Sequence, residues 1–334
     1  MNRYARQSIF RHIGEAGQQK ILGAKVAIIG MGALGTVSAN NLCRAGVGYI
    51  RMVDRDYVEL TNLQRQILYN EDDATQRIPK AVAAAGHLSR VNSEITLEPV
   101  VADVNASNIE NLIGDVDLVL DATDNWEIRL LINEACHKNS IPWIYCGALG
   151  AQGMTMNIMP GGPCLRCFVP GSPGGSSESC STTGVLNMIT NAIASVQTAE
   201  AIKILIGSEY ISKKLLTMDL WTNYIKHIAV EQDVNCPVCG QGKYEFLGKT
   251  TGSYTTNICG SNSVQVVPAN PTKPDFSVLA GRLRKIGEVK FNQFTLVFSG
   301  DKYEITLFAD GRAMIKNAVD EASAKSIYTE YIGI

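Results

Sequence analysis

Residues 25–35 read KVAIIGMGALG, an apolar run rich in β-branched side chains that ends in a loop of spaced glycines. The run predicts a strand over Lys25–Ile29, and the pattern after the loop predicts a helix that reaches about Ala45. The loop glycines are Gly30, Gly32 and Gly35. Because glycines let backbone N–H groups approach a phosphate at a helix N-terminus, where the partial charge is positive, this stretch predicts a nucleotide-binding turn.

A second predicted strand, Tyr49–Val53, ends at Asp54, roughly 20 residues beyond the glycine loop. A carboxylate there can hold a ribose hydroxyl, and the two strands with the helix between them form the βαβ seed of a parallel sheet. The competing interpretation is a tight turn that glycine merely permits, followed by a solvated aspartate. Ribose and phosphate occur in both NAD and ATP, so these residues leave the nucleotide open.

Strand-like and helix-like segments continue to alternate along the first half of the chain, which is typical of the α/β class. From Pro142 the pattern becomes richer in strands, and the Gly, Ser and Pro content of 168–184 predicts a flexible loop. We therefore predict a Rossmann-like, mainly parallel sheet with a strand-rich second half in residues 1–247. Short strands, hairpin turns and helices in 248–334 predict a small α+β C-terminal domain.

The composition is that of an ordinary globular protein, with 46% hydrophobic and 19% charged residues in a chain of 334. A formal net charge of -2 gives no reason to expect nucleic acid as a partner. The N-terminal segment lacks the apolar core of a signal peptide, and no stretch reaches the roughly 18 uninterrupted apolar residues of a membrane span. We therefore expect a cytoplasmic protein that engages neither nucleic acid nor a membrane.

Polar side chains after the second strand favour a triphosphate over a dinucleotide. Asn62, Arg65 and Gln66 lie close together on a predicted helical turn, and Lys80 stands at a predicted helix start. Three phosphates need cationic partners, which a bidentate arginine and a mobile lysine provide. The competing interpretation is a solvated, charged face.

Acidic residues also follow the apolar predicted strand that ends at Leu120. The carboxyl ends of parallel strands line the ligand crevice of an open α/β sheet. Asp124 is therefore placed to hold Mg²⁺ against a triphosphate, and Asn125 to orient the reacting groups. Helix capping is an equally open alternative, because Asp and Asn are common caps and a helix is predicted from Trp126.

Two Cys-x-x-Cys pairs give the strongest local signal, formed by Cys164, Cys167, Cys236 and Cys239. Four thiolates match the tetrahedral coordination of a structural Zn²⁺, and Gly240 fits a tight turn after the last one. Such a site is closed, with no position left for a substrate. A redox-active pair is the competing interpretation.

Cys180 lies inside the predicted flexible loop, just before a long apolar helical pattern. Exposure and a helix N-terminus both favour the thiolate that a nucleophile requires, so Cys180 is a candidate catalytic residue. An inert exposed thiol is the alternative. Cys43, Cys136 and Cys146 fall in helix or strand patterns and are expected in the core, whereas Cys259 stays ambiguous.

Together these motifs make the chain resemble the ThiF/MoeB/HesA family of ubiquitin-activating-enzyme-like adenylyltransferases, most of all its ThiF-type members, over about Arg3–Gly240. The motifs are Arg3-Tyr4-x-Arg6-Gln7, the glycine loop, Asp54-x-Asp56, Asn62-Leu63-Gln64-Arg65-Gln66, Pro79-Lys80, Asp121-x-Thr123-Asp124-Asn125 and the two cysteine pairs.

The resemblance implies a homodimer that uses ATP and Mg²⁺ to adenylylate the C-terminal Gly-Gly carboxylate of a ubiquitin-like sulfur-carrier protein, with release of pyrophosphate. It implies that Asp54 binds ribose, that Arg65 and Lys80 bind phosphates and that Asp124 binds magnesium. Arg6 would reach into the neighbouring subunit's site as an arginine finger, and Cys180 matches a loop cysteine that forms covalent or sulfur-transfer intermediates in various members. The implied nucleotide contacts are Gly30, Gly32, Ala33, Gly35, Asp54, Asp56, Asn62, Arg65, Gln66, Lys80, Asp124 and Asn125.

The tail after about Gly248 shows no rhodanese-like sulfurtransferase domain, so the expected sulfur donor is a separate cysteine desulfurase or sulfurtransferase. A ThiS-like carrier of thiamine biosynthesis is the favoured substrate, and a MoaD-like carrier of molybdopterin biosynthesis is the alternative. An NAD-dependent oxidoreductase shares the glycine loop but gives no reason for the Asn62, Arg65 and Lys80 cluster. A non-catalytic, zinc-stapled scaffold explains only the cysteines.

Overall fold

The structure, a computed structural model, describes residues 3–169, 183–249, 254–257, 263–268, 272–300 and 302–333. The chain divides into two compact units. The first comprises Met1–Thr75 and Pro79–Lys249, and the second comprises Gln76–Ile78 and Thr250–Ile334. No sequence pattern indicated that a short segment of the N-terminal half belongs to the C-terminal unit.

The first unit is built on an eight-stranded sheet in the order β3-β2-β1-β4-β5-β6-β7-β8. The strands are β1 (Lys25–Ile29), β2 (Tyr49–Asp54), β3 (Thr96–Val101), β4 (Leu118–Asp121), β5 (Trp143–Leu149), β6 (Gln152–Ile158), β7 (Lys214–Asp219) and β8 (Tyr224–Ala229). Strands β1 to β5 pair in parallel, and β6 to β8 extend the sheet by antiparallel pairing. The predicted α/β, Rossmann-like class is therefore confirmed.

Helices of the first unit connect these strands. They are α1 (Ala5–Ser8), α2 (Gly14–Gly23), α3 (Ala33–Ala45), α4 (Glu71–Thr75), α5 (Lys80–Ser89), α6 (Ile109–Ile113), α7 (Trp126–Lys138), α8 (Leu165–Phe168) and α9 (Asn187–Ile206). The long helix α9 packs on α3 and against β5 and β6, which buries Ile193 and Gln197 completely. Among the described helices, none combines the length and apolar character that a bilayer crossing requires.

The second unit has a six-stranded antiparallel sheet in the order β11-β12-β13-β14-β10-β9. Its elements are β9 (Tyr254–Asn257), β10 (Ser263–Val267), α10 (Phe276–Leu283), β11 (Glu288–Phe291), β12 (Thr295–Ser299), β13 (Glu304–Phe308), β14 (Ala313–Lys316) and α11 (Glu321–Tyr331). Leu296, Ile305 and Leu307 lie fully buried in its own apolar core, as the predicted α+β arrangement requires.

Candidate functional site

The glycine loop follows β1 and is held so tightly that two of its positions exclude a side chain. Gly30 has φ +96°, and a Cβ there would lie 2.7 Å from the carbonyl oxygen of Ala122. A Cβ on Gly35 would lie 1.9 Å from the carbonyl oxygen of Gly30. The Gly30 N–H donates to the Val53 carbonyl at 2.8 Å, which ties the loop to β2. The loop is therefore a rigid turn at the carboxyl edge of the sheet.

The start of α3 is open to a ligand. Gly32 is its N-cap residue and has no side chain. It therefore offers no oxygen to accept hydrogen bonds from the N–H groups of the first turn, which begins at Ala33. The nearest atom to a Cβ on Gly32 would be Nε2 of Gln66, at 3.8 Å. Gln66 is 3% exposed, and its Oε1 has no hydrogen-bond partner within the described part of the chain. This buried acceptor is therefore suited to a hydrogen bond from a bound ligand.

Asp54 links the glycine loop to the end of β2. Its Oδ2 accepts from the Met31 N–H at 2.6 Å, and its Oδ1 accepts from the Asp56 N–H at 2.7 Å. Burial raises the pKa of Asp54, and the positive charge of Lys80 opposes that rise. Each carboxylate oxygen keeps a further lone pair, which a ribose hydroxyl can use.

Lys80 is the first residue of α5 and is only 8% exposed. Its Nζ lies 3.1 Å from Oδ2 of Asp56, and its N–H donates to the Asp56 carbonyl at 2.9 Å. Burial by itself lowers the pKa of Lys80, but the charges of Asp56 and Asp54 outweigh it and raise that pKa well above its ordinary value. The side chain is therefore an ammonium cation held beside Asp56.

The predicted helical turn begins as a 3₁₀ turn over Leu60–Asn62. The Asn62 side chain closes it by accepting from the Glu59 N–H at 3.1 Å. Arg65 donates from Nη1 to the Thr61 carbonyl at 3.0 Å and forms no ion pair within the described residues. Asn62 thus shapes the turn, while Arg65 keeps guanidinium donors free for an anion.

Behind the site lies a buried ion pair at the end of β4. Asp121 is fully buried and accepts from Nε of Arg129 at 3.2 Å. It also accepts from the N–H and the hydroxyl of Thr123, at 2.9 and 2.7 Å. Burial raises the pKa of Asp121, with the Arg129 charge acting against that rise. The pair fixes the backbone immediately before Asp124.

Asp124 and Asn125 are adjacent in the chain but differ in their contacts. Asn125 caps α7, because its Oδ1 accepts from the N–H groups of Glu127 and Ile128 at 2.8 and 3.4 Å. Asp124 is exposed and makes no hydrogen bond or ion pair among the residues described here. Its negative charge nevertheless contributes to the raised pKa of Lys80 and of Arg129. Asp124 is therefore a free carboxylate within electrostatic reach of the lysine.

Arg6 lies on the short helix α1 and is exposed. Within the described ranges its guanidinium has no hydrogen-bond or ion-pair partner. It is thus available to a group outside its own chain.

The four cysteines of the two pairs come together although 69 to 75 positions separate one pair from the other. Their Sγ atoms all lie within 4.8 Å of one another, with Cys164 and Cys236 at 3.5 Å and Cys167 and Cys239 at 3.4 Å. Partial burial raises the pKa of Cys239 to about 11. Gly240 closes the second pair, where a Cβ would lie 2.4 Å from the Val234 carbonyl oxygen. This group could hold a metal ion.

The remaining cysteines separate into two groups. Cys43, Cys136 and Cys146 are buried, as predicted, and burial raises the pKa of each thiol. Cys180 and Cys259 lie outside the described residues, so the candidate role of Cys180 stays a prediction.

Two residues of the site, Arg129 and Tyr69, were not predicted from the sequence. Arg129 stands four positions after the cap Asn125, and the buried Asp121 could have signalled it, since a buried carboxylate requires a partner. Tyr69 is buried, and its hydroxyl lies 2.7 Å from the Met31 carbonyl oxygen and 3.1 Å from that of Lys80. No local pattern identifies Tyr69, because both contacts depend on the tertiary fold.

A glycine-rich turn, a carboxylate at the end of β2 and a buried lysine at one sheet edge define a nucleotide-binding α/β protein with a separate four-cysteine cluster. The sequence profile of the ThiF family matches residues 4–238. The chain belongs to the ThiF family, which confirms the resemblance seen in its motifs.

Relatives and solved structures agree with this assignment. The chain is 41% identical over 336 residues to the sulfur carrier protein ThiS adenylyltransferase of Bacillus subtilis (strain 168), covering 99% of each chain. It is 35% identical over 244 residues to the molybdopterin-synthase adenylyltransferase of Escherichia coli (strain K12), covering 72% of this chain and 97% of that protein. The fold is similar to a crystal structure of E. coli MccB with ATP, with a TM-score of 0.63 and 23% identity over 72% of this chain and 75% of that one.

Proposed function

We propose that this protein adenylylates the C-terminal Gly-Gly carboxylate of a ThiS-like, ubiquitin-like sulfur carrier, using ATP and releasing pyrophosphate. The observation that carries the proposal is the 41% identity, along 99% of both chains, to a protein named a ThiS adenylyltransferase. The adenylated carboxylate would then be ready for thiocarboxylate formation.

The chemistry follows from the charges around the glycine loop. A free carboxylate is a poor electrophile, whereas its mixed anhydride with AMP carries a good leaving group. The ammonium of Lys80 and the guanidinium of Arg65 are the cations that would bind the phosphates, and Asp54 would accept from the ribose. Electrostatic stabilisation of charge on the phosphates is the main source of rate acceleration in such transfers.

Two metal ions fit the residues present. Asp124 is a carboxylate without a protein partner, and oxygen ligands are those that Mg²⁺ prefers. Bound there with ATP, the ion would neutralise phosphate charge. The four cysteine sulfurs fit a structural zinc site, because Zn–S bonds of about 2.3 Å place tetrahedral sulfurs roughly 3.8 Å apart. Zinc would then staple 164–167 to 236–239.

The proposed partners follow from the same assignment. A homodimer would bring the exposed Arg6 of one subunit to the site of the other. A cysteine desulfurase or a sulfurtransferase would supply sulfur, and Cys180 would serve as a covalent or sulfur-transfer nucleophile. We place the reaction in the cytoplasm, where ATP and reduced cysteines are available.

The proposal is tested by ATP–pyrophosphate exchange with a panel of purified carriers that end in Gly-Gly. We expect exchange that depends on a ThiS-like carrier. Asp124→Ala should abolish it without unfolding the protein, and Glu127→Gln, which removes an exposed carboxylate three positions later on α7, should retain it.

The panel also separates the competing functions. Exchange with a MoaD-like carrier alone would move the enzyme to molybdopterin biosynthesis. Tight NAD binding without ATP binding would favour an oxidoreductase, and folded protein that never turns over ATP would favour a scaffold. Full exchange by Asp124→Ala would remove Asp124 from the site.

A further inference from the structure

The segment Gln76–Ile78 belongs to the C-terminal unit although it lies in the N-terminal half of the chain. The chain leaves the first unit after Thr75, at the end of α4, and re-enters it at Pro79. The next residue is Lys80, the buried cation of the proposed ATP site. Only Pro79 therefore separates the segment from the residue that we assign to phosphate binding.

The Arg77 side chain anchors this segment to β13. Its Nη2 lies 2.9 Å from Oε2 of Glu304, and its Nη1 donates to Oγ1 of Thr306 at 2.8 Å. Positions 304 and 306 face the same side of the strand, so both contacts come from one face of the sheet. Partial burial raises the pKa of Glu304, but the hydrogen bond and charge of Arg77 outweigh it and lower the net value.

The backbone of the segment is held as well. Nδ2 of Asn292 donates to the Gln76 carbonyl at 2.9 Å. Oδ1 of the same side chain accepts from the N–H groups of Phe294 and Thr295 at 2.8 and 2.9 Å, which fixes the direction of the amide. The anchor thus uses main-chain and side-chain contacts together.

Arg77 also adopts a backbone conformation that requires such support. Its φ is +49°, in the left-handed region that residues with a Cβ seldom occupy. Left-handed non-glycine residues persist only where surrounding contacts over-determine them. The ion pair and hydrogen bonds to β13 supply that support.

The link from Arg77 to Lys80 is short and stiff. Three residues span about 10 Å at most, and Pro79 restricts both its own φ and the conformation of Ile78. At the far end, Pro79 forms an antiparallel bridge with Tyr57. Because the connection is so short and restricted, a displacement of Arg77 should also displace Lys80.

We propose that the C-terminal unit positions the phosphate-binding lysine, with Arg77 as the positioning residue that holds the segment before Lys80 through Glu304 and Thr306. This inference rests on the proposed function, because it assigns a regulator to that same site. The C-terminal unit is then part of the adenylylation machinery rather than a separate binding module.

The test compares Arg77→Ala with Lys316→Ala in the full chain. Nζ of Lys316 lies 3.4 Å from Oε1 of Glu304, so the control removes a cation from the same carboxylate and leaves the residues of 76–78 unchanged. In pyrophosphate exchange we expect Arg77→Ala to raise the KM for ATP about five- to tenfold, because a misplaced phosphate ligand weakens ground-state binding. A loss of folded protein alone would lower the maximal rate and leave this KM unchanged.

Two further measurements test the positioning role independently of the folding of Arg77→Ala. Asn292→Asp retains the acceptor for its turn but loses the donor to Gln76, and it should raise the same KM even if Arg77→Ala does not fold. Amide hydrogen exchange over 80–89 should quicken in both variants relative to Lys316→Ala. Unchanged KM and unchanged exchange in folded variants would overturn the positioning role. If the wild type shows no pyrophosphate exchange with any carrier, the proposed function fails, and the amide exchange still decides whether the anchor constrains 80–89.

Discussion

At the scale of single residues, the Asp121–Arg129 pair lies in the buried interior, where desolvation of a charged group costs the most free energy. Both side chains are buried, and the guanidinium of Arg129 also stacks near the rings of Trp126 and Tyr145, at 4.9 and 5.4 Å. The desolvation cost of a buried ion pair cancels much of its attraction, so the pair contributes little net stability. Removing one partner leaves the other charge buried and uncompensated, which is strongly destabilising.

We therefore predict that replacing both partners costs less stability than replacing Arg129 alone. Arg129→Met should destabilise the first unit by about 3–5 kcal/mol, because Asp121 is left buried without its counter-charge. Adding Asp121→Asn, which keeps an acceptor for Thr123, should recover part of that loss. Urea unfolding of both variants measures the difference. A double variant that is less stable than Arg129→Met would contradict this account of the pair.

At the scale of elements, the glycine loop depends on close backbone approach. Gly35→Ala should unfold the β1–α3 connection or abolish ATP binding, since its Cβ would meet the Gly30 carbonyl oxygen at 1.9 Å. Gly23→Ala is the matched control, because no atom lies within 4 Å of a Cβ at the end of α2. That control should leave stability unchanged or raise it by up to about 1 kcal/mol. Thermal melts with and without ATP measure the stability and the ATP binding of both variants. Equal melting temperatures and equal ATP-induced shifts in the two variants would refute the packing argument.

The two cysteine pairs join elements that are distant in sequence. Cys164→Ser should lose zinc and lower the melting temperature, because binding energy of a structural metal is folding energy. Cys136→Ala removes a buried cysteine outside the cluster, so it should keep one zinc per chain whatever its stability. Metal analysis of both purified variants is the measurement, and retained zinc in Cys164→Ser would rule out the assigned ligands.

Sequence patterns found the elements whose signals are local. The buried strand β1 and the glycines after it were predicted to the residue at Lys25–Ile29. The edge strand β8 was missed, because each of its residues is exposed and no alternation marks it. Helix α2 was missed as well, since the polar N-terminal segment gave only a weak amphipathic pattern.

The same division holds for the site. Asp54 ends β2 and Lys80 begins α5, so local patterns made them candidates. Tyr69 and Arg77 act through partners that only the tertiary fold supplies, up to 229 positions away for Arg77 and Thr306. Such contacts leave no periodicity in a single sequence.

At the scale of the whole molecule, the proposed homodimer makes a prediction that a monomeric enzyme cannot meet. Arg6→Ala and Asp124→Ala should each abolish exchange as homodimers. In a heterodimer of the two, one site would combine the intact Asp124 of one subunit with the intact Arg6 of the other. Differently tagged, co-expressed subunits should therefore recover roughly half of the wild-type activity per dimer. An inactive heterodimer would place Arg6 in the site of its own chain.

The path of the chain through Gln76–Ile78 limits how the second unit can be transplanted. The E. coli molybdopterin-synthase adenylyltransferase aligns with 72% of this protein, whereas the B. subtilis relative aligns with 99%. Because the second unit includes residues from both halves of the chain, residues 250–334 alone do not make up the whole of it. Grafting residues 250–334 onto a shorter relative therefore requires transplanting residues 76–78 as well.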